Sequence, residues 1–180
     1  MNLNEYYKKK VVPELKKQFN YKNDLQVPKL ERVILNTGLS KGLKDASFIE
    51  TVESTLSRIT GQKPLKTKAR KSISNFKIRK GMVIGMKVTL RGKRMYDFVE
   101  KLIKVTLPRV RDFRGLSLGI LDKNGNLNIG IKEHIAFPEI KADEIEKLHG
   151  LEVAIVTNAK NKEEGRALFA ALGFPFKSEK

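Results

Sequence analysis

The sequence predicts an α+β fold, a two-layer antiparallel sheet with helices on one face. Three observations carry that prediction. Segments that alternate apolar and polar residues, as half-buried strands do, are interleaved with segments whose apolar residues recur every three or four positions, as in amphipathic helices. Hydrophobic residues make up 40% of the 180 residues, and Gly and Pro are spread along the chain, as suits one folded domain over residues 1–180. Residues 62–82 fit neither pattern; their charge density predicts a long basic loop protruding from that domain.

From the N-terminus, Leu3, Tyr7, Val11, Leu15 and Phe19 predict a helix over residues 3–19, with Pro13 as a kink or a helix start. Residues 29–36 alternate as a strand, with Glu31, Val33 and Leu35 on one face and Arg32, Ile34 and Asn36 on the other. Ser47 and Glu50 form a capping box for a helix whose apolar stripe is Phe48, Val52, Leu56 and Ile59, and Gly61 closes it. Residues 83–91 are the clearest strand. Ile84, Met86, Val88 and Leu90 point one way, and Lys87, Thr89 and Arg91 the other.

Residues 93–105 predict a helix that buries Met95, Phe98, Val99, Leu102 and Ile103 and ends at Pro108. A compact basic loop follows, with Arg109, Arg111 and Arg114. Asn124-Gly125 marks a tight turn before a strand at 126–132, with Leu127, Ile129 and Ile131 inward. Phe137 to Ile140 read as a rigid turn, 142–149 as a short helix and 151–157 as a strand. Asn161 and Glu164 cap a last helix that Gly173 stops. This order of elements suits an RNA-recognition-like (ferredoxin-like) topology, in which one sheet face stays open. The paired stacking aromatics of a standard RNA recognition motif are missing, so hydrogen bonds and charge would replace stacking.

Charge points to the same kind of partner. The chain carries a net charge of +17, and the 43 residues between Glu53 and Asp97 hold 13 Lys and Arg with no Asp or Glu. An ordinary solvated face mixes both signs; a one-sign stretch of this length needs a polyanion. Interleaved Gly, Ser and Asn suit phosphate and sugar contacts. Repulsion among its cations predicts a loop that orders on its partner. Phe76 has two readings there: a stacking surface for a base or sugar, or a plug for its own loop.

Other classes find less support. There is no Cys, and His134 and His149 read as isolated, so no metal or cofactor is expected. Gly61-Gln62-Lys63-Pro64 lacks phosphate-loop spacing, and Glu133 with Glu139 has no accompanying nucleophile, which leaves an enzyme acting on RNA as a minor alternative. A basic protein resting on anionic lipid would need more apolar surface than residues 62–82 offer. No stretch approaches a membrane span, and the first residues lack a secretory or transit pattern, so a cytoplasmic protein is expected.

Several long motifs resemble a known family. LSRITGQKPLKTKARKS (56–72), SISNFKIRKGMVIGMKVTLRG (72–92), LPRVRDFRG (107–115), GIKEHIAFPEI (130–140) and GRALFAALGFPF (165–176) are similar, in order, to the L-five family of bacterial large-subunit ribosomal proteins. The resemblance implies a non-catalytic, ribosome-bound protein that joins 5S rRNA to the central protuberance and touches 23S rRNA. It also implies neighbouring large-subunit proteins, P-site tRNA and a small-subunit head protein as partners. Matched residue by residue, it puts Asn36, Gln62, Thr89 and Arg91 on the 5S rRNA face. It puts Lys71, Ser72, Phe76, Lys77, Arg79 and Lys80 on the loop near tRNA. Arg32, Lys63 and Lys87 join the 5S face by charge and position, and Arg109, Arg111 and Arg114 are candidates for further RNA or bridge contacts. The chain departs from the family's usual residues at Leu39, Ser40, Asn75, Val83 and His134, and over residues 116–123.

Overall fold

A computed structural model describes residues 1–42, 45–140 and 147–177. Most of the helix expected over 142–149 lies outside the described residues. Five strands, β1 (Leu30–Gly38), β2 (Leu65–Lys68), β3 (Val83–Leu90), β4 (Leu127–Ile131) and β5 (Leu151–Thr157), form one open antiparallel sheet in the order β2-β3-β1-β5-β4. Without β4 this is the ferredoxin-like order: the β2–β3 hairpin lies beside the first strand, and the last strand lies on its other side. β4 adds an edge strand. The expected two-layer α+β fold is the observed one.

The chain divides into two compact units, residues 1–33, 90–129 and 154–180 in the first and 34–89 with 130–153 in the second. In the first, Leu3, Tyr7, Val11 and Leu15 are buried along one helical stripe, as their spacing predicts. The helix is α-helical over α1 (Leu3–Tyr6), π-helical over Tyr7–Val11 and α-helical again over α2 (Val12–Gln18). Pro13 is the second residue of α2 and follows directly on the π-helical turn. The wide turn before it is closed by the Val12 N–H on the Tyr7 carbonyl, which eases the clash a proline ring makes with the preceding turn. The same arrangement recurs at Pro108. α4 (Gly92–Lys101) runs into a π turn at Leu102–Thr106, and Pro108 is second in the short α5 (Leu107–Arg109). The helix thus ends just beyond that proline.

α6 (Lys162–Ala171) completes this unit, with Asn161 accepting the Glu164 N–H at 2.8 Å as expected. Its Gly165 meets the Asn124-Gly125 turn so closely that a Cβ would fall 2.4 Å from the Gly125 Cα. Asp122 holds that turn by accepting the Asn124 and Asn126 N–H groups at 2.9 and 2.8 Å.

In the second unit, α3 (Ala46–Thr60) buries the predicted stripe of Phe48, Val52, Leu56 and Ile59 and ends at Gly61 in the left-handed region, φ 66°. Its cap differs from expectation. Asp45, not Ser47, occupies the N-cap and accepts the Phe48 N–H at 3.2 Å. Ser47 lies inside the first turn, where its hydroxyl accepts from Lys147 at 2.7 Å. Asp45 wins because it reaches the free N–H groups two residues earlier with a charged acceptor.

Candidate nucleic-acid interface

The register of β2 on β3 settles which side chains face outward in the second unit. Leu65 pairs with Lys87 and Lys66 with Met86, and directly opposed residues share a face of the sheet. Met86 is fully buried, so Lys66 points to the helix side. There its Nζ lies 2.6 Å from Glu53 in α3, and Lys63 approaches the same carboxylate at 3.8 Å. The Lys66 hydrogen bond chiefly holds the Glu53 carboxyl below its usual range, against partial desolvation and with help from both ammonium charges. Lys66 therefore neutralises an acid of its own fold, whereas Lys63 keeps 85% of its side chain exposed.

On the outward face, Lys87 is exposed and Thr89 half-buried, alternating with buried Met86, Val88 and Leu90 as the sequence predicts. Gln62 is fixed beside them, its Nε2 donating to the Thr89 carbonyl at 3.4 Å. Asn36 is exposed on the outward side of β1, between buried Leu35 and Thr37. Gly85 lets the strands close up: a Cβ there would meet Thr67 Oγ1 at 2.9 Å and the Thr37 carbonyl at 3.0 Å. Asn36, Gln62, Lys63, Lys87 and Thr89 thus belong to one unit. Arg32 and Arg91 belong to the other. Arg32 is half-buried on β1 with its guanidinium 3.8 Å from Glu31, and Arg91 is exposed at the N-cap of α4.

The basic loop has more structure than its charge suggests. The Ala69 N–H donates to the Met82 carbonyl, and the Gly81 N–H to the Ala69 carbonyl, at 2.8 and 2.9 Å. Ile73 and Ile78 exchange both backbone hydrogen bonds, at 2.9 and 3.1 Å. Backbone pairing needs no apolar core, which is why side-chain composition does not reveal it. Ser72 accepts the Lys80 N–H at 2.9 Å, and the turn at 74–77 closes with Lys77 in the left-handed region, φ 54°. Lys71, Ser72, Lys77, Arg79 and Lys80 are all exposed. Phe76 is 68% exposed at the tip, so it does not plug its own loop. In the first unit, Arg109, Arg111 and Arg114 are exposed on a loop bent by Asp112 (φ 54°) and Gly115 (φ 91°).

One feature of the second unit escaped the sequence reading. His134 and His149 are not isolated: both are buried, and their rings stack at 4.1 Å with 6° between planes. Phe48 meets His149 edge-on at 6.4 Å. Burial, with the His134 ring beside it, pushes His149 down to about 4, and burial lowers His134 as well. Uncharged rings stack without repulsion, so the pair works as core. Among the described residues no three His, Asp or Glu side chains form a metal-binding group. No described helix is long and apolar enough to cross a membrane.

Residues 23–79 match the family described as ribosomal protein L5, and residues 83–176 match the model of that ribosomal family's C-terminus. The chain belongs to the ribosomal protein L5 family. It is 54% identical over 176 residues to the large ribosomal subunit protein uL5 of Ralstonia pickettii (strain 12J), covering 98% of both chains. It is 51% identical over 176 residues to the uL5 of Geotalea daltonii, again covering 98% of both. With the uL5 of Thermotoga maritima it shares 52% identity over 175 residues, 97% of this chain and 95% of the relative. Family membership makes the chain a structural, non-enzymatic ribosomal protein, ribosome-bound in the cytoplasm. Binding to rRNA is typical of the family.

Proposed function

We propose that this structural protein of the large ribosomal subunit binds 5S rRNA through the outward face of its sheet. In the second unit Asn36, Gln62 and Thr89 supply hydrogen bonds and Lys63 and Lys87 neutralise phosphates; in the first unit Arg32 and Arg91 each neutralise a phosphate. The observation that carries the reading is β3, whose outward side presents Lys87 and Thr89 next to a fixed Gln62 amide and carries no aromatic ring. Such a surface reads RNA by shape, 2′-hydroxyls and groove edges, because the deep groove of an RNA duplex excludes side chains. Through these contacts the protein would help to build the central protuberance beside neighbouring large-subunit proteins and touch 23S rRNA. The hairpin with Lys71, Ser72, Phe76, Lys77, Arg79 and Lys80 extends toward P-site tRNA. Arg109, Arg111 and Arg114 serve further RNA contacts or a bridge to a small-subunit head protein.

The test is a salt titration of 5S rRNA binding, wild type against Arg91→Ala, with an unrelated RNA as competitor. Loss of one phosphate contact lowers the log–log salt slope by roughly 0.7–0.9 units. A competitor-resistant complex with that slope change supports the proposal; binding that any RNA displaces refutes it.

A further inference from the structure

We infer that Leu65 is an RNA-contacting residue, an apolar platform for a ribose or base edge beside the phosphate held by Lys87. The inference rests on the proposed 5S rRNA reading of the sheet face and assigns that face a contact of a different chemical kind. Leu65 is 61% exposed, although it lies in a regular strand of the sheet. Its register partner is Lys87, which puts their Cβ atoms about 4.5–5.5 Å apart on one face. The neighbouring Lys66 fixes that orientation from the other side, being held by Glu53 at 2.6 Å. Leu65 therefore cannot turn inward without flipping the strand and breaking that ion pair.

The backbone that carries this side chain is also held in place before any partner arrives. Buried Pro64 precedes it, Gln62 is tied to the Thr89 carbonyl, and β3 pairs along its strand. A single exposed leucine is by itself ordinary. This one stands on a strand between Lys63, Lys87 and the basic hairpin, where a polyanion is the partner the charge selects. On a face without aromatics, an aliphatic side chain on a paired strand is what can cover the C–H edge of a sugar or the rim of a base, while Lys87 takes the adjoining phosphate. Charge gives affinity without discrimination; an apolar contact of this kind rewards a particular backbone shape.

The experiment measures 5S rRNA affinity across a salt series for wild type, Leu65→Ala, Leu65→Met and Lys87→Ala, with thermal melting of each protein. Leu65→Ala is expected to weaken binding roughly tenfold at every salt concentration, with an unchanged slope, because no counterion is involved. Leu65→Met keeps the apolar volume and should bind as wild type, and Lys87→Ala should lower the slope. Unchanged melting is expected throughout, since Leu65 is outside the core. Leu65→Ala binding as tightly as wild type, or a loss that Leu65→Met shares in full, overturns the inference and leaves the 5S reading standing. A wild-type protein that any RNA displaces removes that reading, and the platform with it.

Discussion

Gly165→Ala tests the packing of the first unit most sharply, because two well-defined effects oppose each other there. In an open helix interior, replacing Gly with Ala gains about 1 kcal/mol from backbone entropy. Here the new Cβ would lie 2.4 Å from the Gly125 Cα, 2.5 Å from its oxygen and 2.8 Å from its carbonyl carbon. Carbon atoms prefer about 3.5–4.0 Å, so the turn must retreat by roughly an ångström or more. Every atom met is backbone, and that backbone is anchored by Asp122 and by the Thr157 hydroxyl, which donates to the Gly125 carbonyl at 3.0 Å. Overpacking a rigid site costs about 1–3 kcal/mol, occasionally more, and the upper end applies against backbone. The net is a destabilisation of about 2 kcal/mol, or a fall in Tm of roughly 4–8 °C for a chain of this length. Calorimetry or a circular-dichroism melt reads it directly. Gly38→Ala is the control, since a Cβ there meets nothing within 4 Å, and it should melt as wild type. A Gly165→Ala protein that melts at or above wild type would refute the claim that α6 and the turn are locked together.

Acid should loosen the second unit through the histidine stack. The folded state keeps His149 neutral down to about pH 4, whereas the unfolded chain takes the proton near 6.5, so stability is full above pH 6.5 and declines as pH falls toward 4. His149→Phe should flatten that decline in a stability–pH profile; an unchanged slope would show that other groups cause it. Asp45→Ala removes a helix cap and the Lys147 ion pair at its exposed side chain; a lower midpoint of urea unfolding is expected, mostly from the lost cap. Lys77→Glu with Arg79→Glu should leave 5S rRNA affinity nearly unchanged in a filter-binding assay while impairing tRNA-dependent translation. An equal loss of 5S binding would contradict the division between sheet face and hairpin.

Much of this was legible in the chain. The alternation through residues 83–91 identified both faces of β3, because one strand must satisfy core and surface with a period of two. Gly61, Asn161 and Asn124-Gly125 were readable because caps and tight turns are decided by a few adjacent residues. What stayed hidden depends on contacts or geometry that no local pattern carries. The His134–His149 stack joins positions 15 apart in the chain. The π turns before Pro13 and Pro108 leave no period of their own. Asp45 and Ser47 are both good caps, and only the observed helix start chooses between them. At the interface, composition identified the basic stretch but not its two sides: Lys66 faces Glu53, and Leu65 faces out.

The hairpin between Ala69 and Met82 has a thermodynamic consequence. Its backbone donors and acceptors pair across the loop at Ala69, Ile73, Ile78 and Gly81, so its conformational entropy is surrendered when the protein folds, not when a partner arrives. A segment that folds on binding shows the heat-capacity signature of burying on the order of 1,000–3,000 Å². Docking of this finger should instead give a small heat-capacity change, set only by the surface that Phe76 and its basic neighbours cover. Its affinity would then be governed by contact alone, and a crowded assembly could reposition the whole finger without first having to refold it.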